Sequence, residues 1–210
     1  MIEIQNWGLI EYGEALLRQK QLVDEIQQNR NKNVLVLCQH PSVITIGRNG
    51  GANNIICHRG LLEKLGIAVH ETNRGGDVTL HNPGQIVGYP IFNLSALKED
   101  LHWFLRKVEE CIIQAIGMFG LNGERVNGLT GVWLDGKRKI CAIGLHCSRW
   151  VTSHGFALNV ENDITQFDYI IPCGIIDKAV TSMKLELQKD VNMILVENTI
   201  SEIFSKRFNI

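Results

Sequence analysis

The chain has no Cys-x-x-Cys pair, no uninterrupted apolar stretch long enough to cross a bilayer, and no excess of either charge. Each absence excludes a class of function. Of six cysteines, "CQH" at Cys38 and "CH" at Cys57 sit beside histidines, but neither has a second ligand pair at zinc-finger spacing, so no metal site is expected. A formal net charge of −1 supplies no basic footprint for nucleic acid. The start, "MIEIQNWGLIEYGEALL", lacks the basic residues, apolar run and small-residue cleavage site of a signal peptide. The expectation is therefore a soluble, cytoplasmic protein with reduced cysteines, no membrane association and no nucleic-acid partner.

What is present is ordinary globular material: 210 residues, 45% hydrophobic and 20% charged, enough for one substantial core. One domain spanning 1–210 is expected. Leu9, Tyr12, Leu16, Val23 and Ile26 recur at near-helical spacing and predict an amphipathic helix. "VLVLC" and "SVITIG" flank "QHP" and read as paired strands. "RGLLEKLG" reads as a short helix and "IAVHET" as a strand. Leu101, Phe104, Val108, Cys111, Ile112, Ala115 and Phe119 form the best helical stripe, entered through an Asp100 cap. In "GVWLDGKRKICAIG" an Asp-Gly turn separates apolar strands, a strong hairpin signal, and "RWVTSHGFALNV" extends that sheet. A last helix over 191–208 carries Ile194, Leu195, Ile200, Ile203 and Phe204. Because strands and helices cluster rather than alternate, the fold class is α+β, with a mixed, mainly antiparallel sheet and flanking helices.

Four stretches could carry chemistry. "RGGDVTLHNPGQ", 74–85, offers adjacent glycines for close ligand approach, Arg74 for an anionic group, and polar tips at His81 and Gln85. It matches neither a dinucleotide fingerprint nor a Walker loop, and as a bare glycine-rich connection it would need no ligand. Lys139 follows a hairpin turn, where lysine is commonly a solvated edge charge; as a base it would have to be partly desolvated. His154, beside Gly155, fits either a satisfied core histidine or a catalyst. Cys173 stands between Pro172 and Gly174, where proline restricts the backbone and glycine frees it, so the thiol marks a strand end. It could be a buried small hydrophobe or a nucleophile.

In order along the chain, "GR" at Gly47, "RGGDVTLHNPGQ", "KICAIG" followed by "TSHGFALNV", and "PCGI" closely resemble the octanoyltransferases of lipoate biosynthesis. Leu80 replaces an aromatic residue usual in that family, and Asn82 a glycine. The resemblance implies a fold shared with biotin and lipoate protein ligases. It also implies Cys173 as the acyl-carrying nucleophile with Lys139 as its partner. Substrate contacts map onto Arg74, Gly75, Gly76, Asp77, Val78, Thr79, Leu80 and His81, onto Ala142, Ile143 and Gly144, and onto Gly155, Phe156 and Ala157. His154 and Gln85 would support them. The implied donor is octanoyl-acyl carrier protein; the implied acceptors are lipoyl domains of 2-oxoacid dehydrogenase complexes and of the glycine-cleavage protein. No cofactor is implied, and a monomer is expected.

Elementary chemistry agrees with that assignment. Thiolate attack on a thioester requires a lowered cysteine pKa, which a nearby lysine and a helix beginning at "IIDKAVTS" would supply. Ala142, Gly144 and Gly155 would leave room for an apolar chain, with main-chain N–H groups for the oxyanion. Arg48, Lys137, Arg138 and Arg149 are candidates for docking an acidic carrier. The competing readings are an ATP-dependent lipoate ligase of the same fold, a non-catalytic acyl- or lipoyl-domain-binding module, and a cysteine peptidase.

Overall fold

The computed structural model describes residues 2–171 and 178–208. In chain order the elements are β1 (Ile2–Leu9), α1 (Tyr12–Gln28), β2 (Asn33–Gln39), β3 (Val43–Ile46), α2 (Arg59–Lys64), β4 (Ala68–Glu71), β5 (Val78–His81) and β6 (Gln85–Ile91). There follow α3 (Leu101–Gly117), β7 (Val132–Leu134), β8 (Arg138–Ser148), β9 (Val151–Asn159), β10 (Ala179–Val180), α4 (Met183–Leu187) and α5 (Met193–Phe208). The fold is α+β with mainly antiparallel pairing. A seven-stranded sheet runs β1-β2-β6-β9-β8, with β7 and β10 both pairing with the first residues of β8. A three-stranded sheet runs β4-β3-β5.

The large sheet is covered differently on its two faces, and alternation along each strand sends side chains to one or the other. Leu35, Ile86, Phe156 and Leu158 pack with Phe104, Val108 and Ile112 of α3 and Ile200 and Phe204 of α5. Val34, Val36, Val87 and Ala157 pack with Ala15, Leu22 and Ile26 of α1. Helix α3 starts where the sequence places it: the Asp100 side chain accepts the Trp103 N–H at 2.8 Å, satisfying a donor that the first turn leaves unpaired. The β7–β8 hairpin turns through Asp135 and Gly136, both at positive φ (50° and 61°), as an Asp-Gly turn requires.

Several elements depart from the sequence pattern. The strands "VLVLC" and "SVITIG" do not pair: β2 lies in the large sheet between β1 and β6, and β3 lies in the small sheet between β4 and β5. Between them the buried His40 is tied through Nδ1 to Ile10 O at 2.7 Å, so the chain turns away rather than back. Leu9 is not in the first helix but ends β1, an edge strand whose polar sequence hides it. The stripe that α1 buries is Tyr12, Ala15, Gln19, Leu22 and Ile26; the polar Gln19 within it is invisible to a hydrophobic count. Helix α5 buries Val196, Ile200, Phe204 and Phe208, while Ile194 and Leu195 are exposed. The expected helix after Cys173 is absent from 178–182, where Ala179 and Val180 pair in parallel with Arg138 and Lys139.

Strand β9 pairs with β6 and leaves no room for a side chain at one point. An added Cβ on Gly155 would lie 1.9 Å from Gly88 O, a backbone atom that cannot swing aside. Gly155→Ala should therefore cost about 3 kcal/mol of stability, the upper range for overpacking a core. A urea midpoint within error of the wild type would contradict that close approach.

Candidate active site

Lys139 is brought to the site by an irregularity in β8. Trp133 pairs with Lys139 but Val132 pairs with Cys141, so β8 carries one extra residue, Ile140, against β7. Such a bulge reverses the alternation beyond it. Ile140 and Cys141 consequently both join the core under α3, and Lys139 turns to the same face as Ala142 and Gly144. There the residue is only 9% exposed and its ammonium lies 4.6 Å from the centre of the Trp133 ring. It is not a solvated edge charge.

On that face a cavity of about 360 Å³ opens between the large sheet and the segment 74–81. Its volume lies within the range of about 300–1,000 Å³ typical of small-molecule sites. Ala142, Ile143 and Gly144 of β8 and His154, Gly155, Phe156 and Ala157 of β9 line it, together with Lys139. Arg74, Gly76, Asp77, Val78, Thr79 and His81 form the opposing wall. Gly75 and Leu80, named from the sequence, do not line it: Gly75 donates its N–H to Leu145 O at 2.9 Å, and Leu80 is buried in the small-sheet core. Cys173 lies outside the described residues. The flanking chain is anchored, with Ile171 N donating to Asn54 O at 2.8 Å and Thr181 N to Lys139 O at 3.0 Å.

Arg74 organises the wall. Its guanidinium donates to Thr45 O at 2.6 Å, to Thr45 Oγ1, to Asp77 O at 2.6 Å and to Gly75 O at 3.0 Å. Much of its hydrogen-bonding capacity thus holds the glycine loop over β8. The small residues have a second purpose beyond making room: a Cβ on Gly144 would meet Gly75 O at 2.5 Å, and one on Gly47 would meet Gly76 O at 2.3 Å. Asp77 fixes the loop's end, accepting from Asn54 Nδ2 at 2.6 Å and from the Val78 N–H at 2.7 Å.

The two histidines lining the cavity, His81 and His154, are neutral. Gln85 donates to Leu80 O at 3.2 Å and to Asn159 Oδ1 at 2.8 Å, which turns its Oε1 to His81 Nδ1 at 2.7 Å. Nδ1 of His81 accordingly carries the proton and Nε2 the lone pair. Burial, reinforced by His40, lowers the His81 pKa to about 3. His154 is likewise lowered to about 3, by burial and then by the Arg74 charge. His154 has a positive φ of 56°; Gln19 Oε1 accepts its main-chain N–H at 2.9 Å, and its Nε2 meets Asn73 Oδ1 at 2.6 Å. These bonds hold in place a backbone conformation that non-glycine residues seldom adopt.

Tyr12, Asn49, Val87, Tyr89, Gly128, Leu129 and Thr130 also line the cavity and were not singled out from the sequence. Tyr12 entered there only as part of the first helix's stripe, and Tyr89 and the 128–130 stretch carried no signal. The Tyr12 ring stacks on His81 at 5.9 Å, and the Tyr89 hydroxyl bonds His40 Nε2 at 2.6 Å. Among the described residues no cluster of His, Cys, Asp or Glu could hold a metal ion, and no helix is long and apolar enough to cross a membrane.

A two-sheet α+β catalytic domain whose largely apolar cavity meets a buried lysine is the class to which these features lead. The chain belongs to the family of lipoyl protein ligase A/B catalytic domains, whose model matches residues 11–205. It is 51% identical over 180 residues to the octanoyltransferase of Solibacter usitatus (strain Ellin6076), covering 86% of this chain and 81% of that one. The sequence-level resemblance to octanoyltransferases is thereby confirmed, and with it acyltransferase activity, octanoyl transfer in protein lipoylation. In fold it is similar to a lipoate-protein ligase A crystallised with ATP, with a TM-score of 0.78 at 17% identity over 99% of this chain and 85% of that one. The biotin protein ligase of Aquifex aeolicus is a more distant neighbour, with a TM-score of 0.52 at 11% identity, covering 100% of this chain and 70% of the other.

The neutral histidines give the fold a defined acid response. Unfolded imidazoles bind protons below about pH 6.5, whereas His81 and His154 in the folded chain resist protonation down to about pH 3. Protons therefore favour the unfolded chain, and stability that is complete above pH 6.5 is lost progressively as pH falls towards 3. Between pH 7.5 and pH 5.0 each histidine should withdraw about 2 kcal/mol. Urea unfolding at both pH values measures this, and a pH-independent midpoint would contradict the neutral assignment.

Proposed function

We propose that this chain transfers an octanoyl group from octanoyl-acyl carrier protein to the lysine ε-amine of a lipoyl domain through an acyl thioester on Cys173. The observation that carries the reading is Lys139, buried at the wall of a largely apolar cavity in a chain half identical to an octanoyltransferase. Cys173 enters through its motif, "PCGI", and through the anchoring of Thr181 to the main chain of Lys139. The substrate wall is Arg74, Gly76, Asp77, Val78, Thr79 and His81, with Ala142, Gly144, Gly155 and Ala157 opposite, while His81, held by Gln85, and His154 serve as neutral hydrogen-bonding groups. Lipoyl domains of 2-oxoacid dehydrogenase complexes and of the glycine-cleavage protein are the acceptors. The enzyme acts as a cytoplasmic, single-domain monomer.

The steps balance without ATP. The Cys173 thiolate attacks the thioester carbonyl, the tetrahedral oxyanion collapses, and the carrier's thiolate leaves with a proton from the Lys139 ammonium. Lys139, now a neutral amine, takes a proton from the incoming lysine ammonium, and the freed amine attacks the acyl-cysteine. Cys173 departs as thiolate, one proton passes to solvent, and an amide replaces a thioester, which makes the second transfer downhill. Arg48, Lys137 and Arg149 are exposed and form the dock for the acidic carrier; Arg138 is bonded to Glu186 and Asp135 and contributes less.

Intact-protein mass spectrometry after mixing with octanoyl-acyl carrier protein, without ATP, tests the reading. The wild type should gain one octanoyl increment, lose it when a lipoyl domain is added, and show none in Cys173→Ala. Activity that requires ATP and free lipoate would instead make the chain a ligase. A second expectation is that charge reversal at Arg48, Lys137 and Arg149 raises donor KM about tenfold and weakens its salt dependence; no change in either would remove the proposed dock.

A further inference from the structure

The main core helix contains a carboxylate that the reaction does not use. Glu109 of α3 is fully buried, with its side chain 0% exposed. Burying a charge is costly, and apolar replacements of buried ion pairs are often neutral or stabilising, so stability alone is a poor reason for a glutamate there. Its contacts supply another. Oε2 accepts from Arg106 Nη1 at 2.8 Å and from Arg125 Nε at 3.1 Å, and Oε1 accepts the Gly131 N–H at 3.0 Å. Arg125 also donates to Arg106 O and to Glu110 Oε2, both at 2.8 Å.

Arg125 and Gly131 stand on opposite arms of one loop, 124–133, closed at its base where Glu124 and Trp133 exchange main-chain hydrogen bonds of 2.8 and 2.9 Å. The carboxylate is thus a brace joining both arms. What it braces surrounds Lys139. Gly131, at φ 117°, lies so close to β8 that an added Cβ would sit 2.5 Å from Cys141 O and 3.7 Å from Lys139 Cε. The Trp133 ring lies against the Lys139 ammonium, and Gly128, Leu129 and Thr130 form the adjoining cavity wall.

We propose that Glu109 is a positioning residue for the transfer reaction: by bridging Arg125 and Gly131 it fixes loop 124–133 as the wall that holds Lys139 in place. The inference rests on the reading of Lys139 as the proton carrier. Glu109 touches no substrate and acts through the geometry of the loop.

Amide hydrogen exchange and rapid-quench acylation by octanoyl-acyl carrier protein, both on Glu109→Leu, test it. Exchange at residues 128–131 should accelerate while the cores of β6 and β9 keep their protection, and acyl-enzyme formation should slow about tenfold, as misplaced catalytic groups do, with donor KM within about twofold. Unchanged exchange at 128–131 overturns the inference whatever Lys139 does, and so does accelerated exchange with a wild-type acylation rate. If Glu109→Leu does not fold, Arg125→Gln releases one arm while leaving Gly131 on the carboxylate; it should give the same two changes to a smaller extent, and wild-type values for both overturn the proposal. Normal acyl transfer by Lys139→Ala would defeat the reading of Lys139 itself, a result separable from the exchange data because those need no substrate.

Discussion

The pairing of β8 with two strands of different register is the constraint on which the site depends, because it sets Lys139 against the alternation of its own strand. From Cys141 onward β8 runs in regular antiparallel register with β9, so Cys141, Ile143 and Leu145 point into the helix-covered core. Continued backward, that alternation would bury Lys139 among Phe104 and Ile112. The extra residue opposite β7 prevents this and turns the lysine to the cavity, against Trp133. A lysine in the core would be an unpaired charge; a lysine on the cavity face beside an aromatic ring is a usable one.

The cavity depends in turn on main chains that approach each other too closely for side chains. Segment 74–77 crosses β8 at Gly144, β9 lies hard against its neighbour β6 at Gly155, and Gly47, just after β3, lies against the loop at Gly76. Arg74 converts this crossing into a fixed wall by bonding main-chain oxygens of Thr45, Gly75 and Asp77. Glycine therefore serves two needs at once, since the residue that admits the crossing strand also leaves the floor of the cavity bare. The wall beside Lys139 is held on a different principle, a buried carboxylate that draws two arms of a loop to one helix.

Around this site the buried histidines His40, His81 and His154 are hydrogen-bonded and held neutral. His40 links Ile10 to Tyr89, and His81 links through Gln85 and Asn159 to Thr181, next to the main chain of Lys139. Each ring has its protonation site set by a neighbour that can only donate or only accept there. The charges that line the cavity are thus those of Arg74, Asp77 and Lys139, and its buried imidazoles add none.

Much of this was legible along the chain. The α+β class, the stripe of α3 and its Asp100 cap, and the Asp-Gly hairpin are local facts, set by periodicity, capping and the backbone limits of single residues. The ordered motifs around Arg74, Lys139 and Cys173 named the family because they lie within short stretches. Other features depended on residues far apart in sequence. Nothing local in "VLVLCQHPSVITIG" assigns its strands to different sheets; His40 bonding Ile10 and Tyr89 does so. Gln19 was hidden because its purpose is the N–H of His154, and the direction of Lys139 was hidden because a bulge exists only relative to a partner strand. The sequence by itself determined the elements and the reactive residue types, whose propensities and spacing act within a few residues. Tertiary structure alone decided which faces met, which loops walled the cavity and which way the lysine pointed, because register, close backbone crossing and burial are properties of two chain segments together.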